Sequence, residues 1–337
     1  MHKIFSMGLV LMIVLSVFAS ACRAGEEENT KVRLALDWIP WSNHSGLYMA
    51  LDRGYFSEQG LDVEIYVPND PATTLMSVGS GEDDFGLSYQ SEVLIAGRAG
   101  VPITSVAALV QHPLNSIMTL ESSGITRPSE LKGKTIGAYG VPSDAPLLET
   151  MLKADGIELN DVELVNVGFD LVPALISKQV DAIIGAYWVA ESIAAANQGF
   201  PVNVIKMEDW GVPDFYEIVL VTSQKNVKES KDVVQKFINA MSKGYQDSLN
   251  DPQEAINVLS RLVPETDIDT ERRGIKLLTP YWLSENMIFG WQSDIKWQRF
   301  AEWMENNDLL PDSGQASSEW DFKSLYTNEF IMQGASK

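Results

Sequence analysis

From residue 31 to about residue 222, short apolar runs rich in β-branched residues alternate with stretches whose apolar positions recur every three or four residues. The runs at 32–36, 61–67, 85–88, 103–109, 135–139, 162–167, 182–185, 202–205 and 218–221 predict strands. Among the helical stretches, Leu147, Leu148, Met151 and Leu152 share one face. Gly156 is placed to end that helix, and Asp144 or Ser143 to cap its start. This strand-then-helix rhythm predicts an α/β fold of parallel sheets with right-handed crossovers. Beyond Val221 the strands stop. Val233, Val234, Phe237, Ile238 and Met241 form one apolar stripe, and Trp297, Phe300, Trp303 and Met304 form another. Such spacing assigns these tryptophans to the core.

The N-terminus breaks the rhythm. After Met1-His2-Lys3, residues 4–18 are apolar except for Ser6, Gly8 and Ser16. That run is shorter than the roughly 20 residues a membrane span needs and has the layout of an export signal. Ala19-Ser20-Ala21-Cys22 then resembles a bacterial lipobox, in which the cysteine is acylated and becomes the mature N-terminus; Ala19 stands where leucine is commonest. Residues 1–21 are thus expected to be a lipoprotein signal peptide and 22–30, rich in Glu, a solvated tether. Cys22 is the only cysteine, so no disulfide can form within the chain. The body is expected to be lipid-anchored on the extracytoplasmic side of the cell membrane.

With 337 residues the chain exceeds what one hydrophobic core usually fills, so two domains are expected. Lys and Arg number 25 against 46 Asp and Glu, a net charge of −21 that repels phosphate and argues against nucleic-acid binding. Enzyme signatures fail on inspection. Gly133-Lys134-Thr135 ends like a phosphate loop, but Pro128 occupies the place of its first glycine. Gly79-Ser80-Gly81 lacks the third glycine of the dinucleotide fingerprint. His2, His44 and His112 are scattered and build no metal cluster from sequence neighbours. Glu82-Asp83-Asp84 reads as a solvated loop.

Aromatic and polar residues gather just beyond the strand ends, where open α/β sheets bind ligands. Trp38, Trp41, Asn43 and His44 follow the first strand; Tyr89 and Gln90 follow the third; Tyr187, Trp188 and Glu191 follow the run at 182–185. Three such clusters suggest a flat ring held between aromatic faces. Glu191 beside them would select a ligand with N–H donors, or else is simply an acidic residue favoured at a helix N-terminus.

At these residues the chain resembles a known family. Leu36-Asp37-Trp38-Ile39-Pro40, Asn43-His44-Ser45-Gly46-Leu47-Tyr48, Gly54-Tyr55-Phe56 with Gly60-Leu61-Asp62-Val63, Pro113-Leu114-Asn115, Leu131-Lys132-Gly133-Lys134 and Tyr187-Trp188 are similar to solute-binding proteins of ABC transporters. The glycine-containing motifs are shared with nitrate, sulfonate and taurine binders, whereas the Asp-Trp, Asn-His and Tyr-Trp elements point to thiamine-precursor binders. These share a fold with fungal pyrimidine synthases of thiamine biosynthesis. The resemblance implies the two-lobed periplasmic-binding type II fold with two chain crossings, near residues 115–118 and 216–218. One lobe would hold residues 31–116 and 218–337, the other 117–217. It implies a formylaminopyrimidine-type ligand, no cofactor, and separate permease and ATPase partners. Trp38, Tyr187 and Trp188 would wall the ring, with Tyr89 close by. Asn43, Gln90 and Asn115 would offer amide hydrogen bonds, Glu191 would read the amino group, and His44 would contact the ligand or tie its loop. Riboflavin is the alternative ligand, because Val189-Ala190 is less bulky than expected of a pyrimidine binder. A synthase is the alternative from another class. Its cysteine-rich iron segment would fall near residues 211–219, where this chain has Gly211-Val212-Pro213-Asp214-Phe215-Tyr216-Glu217 and no cysteine.

Replacing Cys22 with Ala is expected to release the protein from membranes in fractionation while leaving ligand affinity unchanged. Equal membrane retention of the variant would point instead to an uncleaved N-terminal helix.

Overall fold

The computed structural model describes residues 29–312 and 321–334; Cys22 and the rest of the proposed leader lie outside them. Ten strands build two sheets. The first contains β1 (Thr30–Ala35), β2 (Leu61–Tyr66), β3 (Phe85–Ser88), β4 (Ile103–Val110) and β10 (Ile218–Ser223), in the order β2-β1-β3-β10-β4. The second contains β5 (Asn115–Leu120), β6 (Thr135–Ala138), β7 (Glu163–Asn166), β8 (Ala182–Tyr187) and β9 (Val202–Lys206), in the order β7-β6-β8-β5-β9. The chain passes between them twice, after Val110 and again after Lys206. This is the two-lobed α/β architecture with two chain crossings.

The expectation of parallel sheets needs correction. β1, β2 and β3 run parallel, as do β6, β7 and β8. β10, however, lies antiparallel between β3 and β4, and β5 lies antiparallel between β8 and β9. In each sheet the inserted strand belongs to a crossing, so each lobe is completed by a segment adjoining the other. β5 is also the strand that sequence patterning misses. Residue 115, expected at the end of the first lobe, opens this strand of the second sheet.

Two further expectations change. Asp83 is fully buried rather than solvated: it accepts from Arg33 Nε at 3.0 Å and Tyr66 Oη at 2.6 Å, pinning the first sheet's edge. The helix Asp144–Ala154 begins and ends close to expectation, and its four apolar residues are buried. Yet neither candidate caps it with a side chain; Asp144 instead accepts from the backbone N–H groups of Gly140 and Val141.

The helices after β10 cover the first sheet. In the helix Lys231–Asn250, Val234, Phe237, Ile238 and Met241 are buried, and Phe237 stacks on Phe85 of β3 at 4.1 Å. In the helix Asp294–Asn306, Trp297 and Phe300 are core residues, with Phe300 stacked on Phe215 at 4.7 Å. Among the described residues no helix is long and apolar enough to cross a membrane.

The helix Lys231–Asn250 also lies against the helix Ser45–Asp52 at a distance that glycine alone permits. A Cβ on Gly244 would stand 2.1 Å from the carbonyl oxygen of Gly46, and one on Gly46 would stand 2.4 Å from the ring of Tyr245. Gly244→Ala is therefore expected to destabilise the protein by about 1–3 kcal/mol or more in urea unfolding. An unchanged midpoint would show that the two helices part freely.

Candidate functional site

The candidate site forms where the carboxyl ends of the parallel strands of both sheets meet the amino ends of the antiparallel β5 and β10. β1 runs into a buried loop organised by Asp37, which is only 3% exposed. The Trp41 N–H donates to His44 Nδ1 at 3.3 Å, so the ring proton resides on Nε2, which donates to Asp37 Oδ1 at 2.9 Å. Both nitrogens of His44 are thereby committed, and the ring ties its loop. Asn43 is likewise a fastening: its Oδ1 accepts from Trp282 Nε1 at 2.9 Å and its carbonyl from Tyr245 Oη at 2.7 Å. Gln90 Oε1 accepts from the Tyr216 N–H at 2.8 Å, joining the helix after β3 to the second crossing.

Three other expected residues converge. Tyr89, Asn115 and Tyr187 line one cavity together with Tyr139, Asp144, Gly185, Phe215 and Glu217. An adjoining cavity brings in Asp37 and Glu92. Trp38 packs edge-on to Tyr139 at 4.7 Å and against Phe169 at 5.0 Å, joining the two lobes at this point. Trp41 meets Tyr187 at 5.6 Å.

Trp188 and Glu191 stand apart from the cavity. Trp188 lies edge-on to Tyr281 at 5.7 Å, with Lys206 Nζ 4.2 Å from its ring centre. The Glu191 carboxylate accepts from the Tyr187 N–H at 2.7 Å and closes the turn from β8 into the helix Glu191–Asn197. Val189 is buried, and its carbonyl faces Gly274 of the helix Ile268–Leu278, so it does not widen the cavity.

Tyr139, Asp144 and Glu217 were not singled out as site residues by sequence reasoning. Tyr139 directly follows β6, so the strand-end rule would have found it. From the sequence Asp144 reads as a helix cap, and Glu217, directly before β10, carries no local signal.

The cavity is acidic and enclosed. Burial pushes Asp144 and Glu217 each up to about 7, against the stabilising pull of the backbone N–H groups they accept. Glu191 is also pushed up to about 7, chiefly by burial. Among the described residues, no lysine or arginine lines either cavity. The lobes are drawn together across it: Tyr139 Oη donates to the Asp37 carbonyl, and the Ser143 N–H donates to Glu92 Oε1 at 2.8 Å. The free space left is about 10 Å³, the room of roughly one water. A ring-sized guest does not fit that space as it stands.

Two sheets, two crossings and a closed cavity between strand ends make up the two-lobed periplasmic-binding type of fold. The fold matches the alkanesulfonate-binding protein SsuA from Xanthomonas axonopodis pv. citri with a TM-score of 0.66 and 18% identity, over 85% of this chain and 96% of that one. The chain belongs to the NMT1/THI5 like family, which matches residues 41–255. It is 32% identical to a formylaminopyrimidine-binding protein of Halalkalibacterium halodurans, over 90% of this chain and 95% of that protein. It is 28% identical to a 4-amino-5-hydroxymethyl-2-methylpyrimidine phosphate synthase of Saccharomyces cerevisiae, over 89% of this chain and 88% of that one.

The raised Asp144 gives a signed pH dependence. Below its ordinary value of about 4, the group is protonated in the folded and unfolded chain alike. As pH rises toward about 7, the unfolded chain releases the proton first, so stability falls; above that the penalty is complete. Relative to Asp144→Asn, the wild type is expected to lose on the order of 4 kcal/mol between about pH 4 and about pH 8 in urea unfolding. A pH-independent difference would show that Asp144 titrates normally.

Proposed function

We propose that this chain is the extracytoplasmic solute-binding component of an ABC importer and that it takes a thiamine-precursor aminopyrimidine, of the formylaminopyrimidine type, in its interlobe cleft. The observation that carries this reading is the lining: tyrosine rings, an asparagine amide and buried carboxylates, without a cation. An anion would find no lysine or arginine partner among the described lining residues and would lie beside two acids. A flat, neutral or weakly basic ring meets aromatic walls and acceptors for its N–H groups. The likeness to a protein named for binding formylaminopyrimidine supports the same choice. Tyr89, Asn115 and Tyr187 are the proposed contacts, and Trp38 of the first lobe packs behind them on the lining residue Tyr139.

Binding rather than synthesis is part of this proposal, although a synthase stands among the relatives. His44 is held on both sides by Asp37 and Trp41 and offers no free nitrogen to a substrate. The segment 211–217, where the synthase reading expects cysteines, has none. The proposal also includes a lipid anchor at Cys22 and separate permease and ATPase subunits.

Intrinsic tryptophan fluorescence, titrated in parallel with formylaminopyrimidine, riboflavin, thiamine and an alkanesulfonate, tests the ligand. Saturable quenching by the formylaminopyrimidine at the lowest concentration is expected. Tyr187→Ala is expected to weaken that binding at least about tenfold, or roughly 1.4 kcal/mol. Tighter binding of riboflavin or the sulfonate would overturn the assignment.

A further inference from the structure

Glu217 occupies an unusual position in the fold. It is the last residue before β10, 2% exposed, and its own N–H donates to the carbonyl of Val110 at the end of β4. One carboxylate oxygen, Oε2, accepts both from the Leu114 N–H at 2.5 Å and from the Asn115 N–H at 2.9 Å. Leu114 and Asn115 finish the first crossing, whereas Glu217 finishes the second. A single side chain thus binds the two connections between the lobes to each other. The same carboxylate lines the ligand cavity beside Tyr187.

Its neighbour Asn115 is oriented in a complementary sense. Asn115 Oδ1 accepts from the Gly185 N–H at 3.0 Å, which fixes the amide and leaves Nδ2 as the group it can offer as a donor. An acceptor (Glu217) and a donor (Asn115) therefore stand side by side on one wall of the cavity. The edge of a 4-aminopyrimidine presents the reverse pair, an exocyclic amino donor next to a ring-nitrogen acceptor. Asp144, the other carboxylate of the cavity, accepts from Gly140 and Val141 and is set on the second lobe, away from the crossings.

Resting on the pyrimidine-binding reading, we propose that Glu217 and Asn115 together read the amino and ring-nitrogen edge of the ligand, and that Glu217 passes occupancy to the hinge. When the ligand's amino group donates to the carboxylate, the acceptor that holds the Leu114 and Asn115 amides becomes shared, and the two crossings respond to the guest directly. Because the carboxylate is shielded from water, such a charge-assisted bond is stronger than its exposed counterpart.

The test uses the full chain and two probes, 4-amino-2-methylpyrimidine and 2-methylpyrimidine, which lacks the amino group. In the wild type, calorimetry should show the amino compound binding at least about tenfold more tightly. In Glu217→Gln that preference should vanish while the weaker affinity for 2-methylpyrimidine persists. In case the variant fails to fold, amide NMR of the wild type gives a second reading: the Leu114 and Asn115 N–H resonances should move on adding the amino compound and not on adding its analogue. Retention of the preference in Glu217→Gln, or immobile amides in a saturated wild type, overturns the role of Glu217 and leaves pyrimidine binding intact. A wild type that binds neither probe nor formylaminopyrimidine removes both readings together.

Discussion

Taking a carboxylate out of water costs several kcal/mol unless hydrogen-bond donors replace the water, and this constraint arranges the centre of the molecule. Asp37 has only 3% of its surface exposed, and its carboxylate is met by the imidazole of His44, which is set in turn by the backbone of Trp41. Its carbonyl receives the hydroxyl of Tyr139 from the other lobe. Glu217 is met by two amides of the opposite crossing, Asp144 by two amides of its own turn, and Glu92 by the amide of Ser143 across the cleft. Each acid therefore dictates where a piece of backbone must lie.

The lining also bears on how one fold can serve different ligands. The two-lobed frame is shared with an alkanesulfonate-binding protein at 18% identity, and a fold by itself does not set ligand chemistry. The lining decides. Here, among the described residues, acids and tyrosines line the cavity and no lysine or arginine does.

Strands whose apolar residues stand in unbroken runs are legible in the sequence, and so are the helical stripes around Phe237 and Trp297. β5 is not, because Asn115, Ser116 and Thr119 interrupt it. The structure shows why a buried strand tolerates them: Ser116 Oγ donates to the Ala186 carbonyl at 2.8 Å, Thr119 Oγ1 to the Ile125 carbonyl at 2.7 Å, and Asn115 accepts from Gly185. The strand-end rule found Tyr89 and Tyr187 but also collected Trp188, which points elsewhere. Whether a polar residue near a strand end faces a ligand or braces a loop depends on partners far away in sequence. Asn43 meets Trp282 and Gln90 meets Tyr216, contacts that no local pattern encodes. Asp83 was hidden for the same reason, its partner Arg33 being on another strand.

The antiparallel insertion of β10 bears on the order in which the chain acquires its shape. Every strand of the second sheet lies between Asn115 and Lys206, so that sheet can close as soon as this stretch is available. The first sheet cannot: β3 and β4 are separated by a gap that only β10 fills, and β10 follows the whole second sheet in sequence. A chain emerging from its N-terminus must keep β1 to β4 waiting, unpaired at their centre, until the inner lobe has been made. The molecule consequently matures from its middle outward, and the N-terminal half spends the longest time exposed to aggregation and to the factors that guard against it.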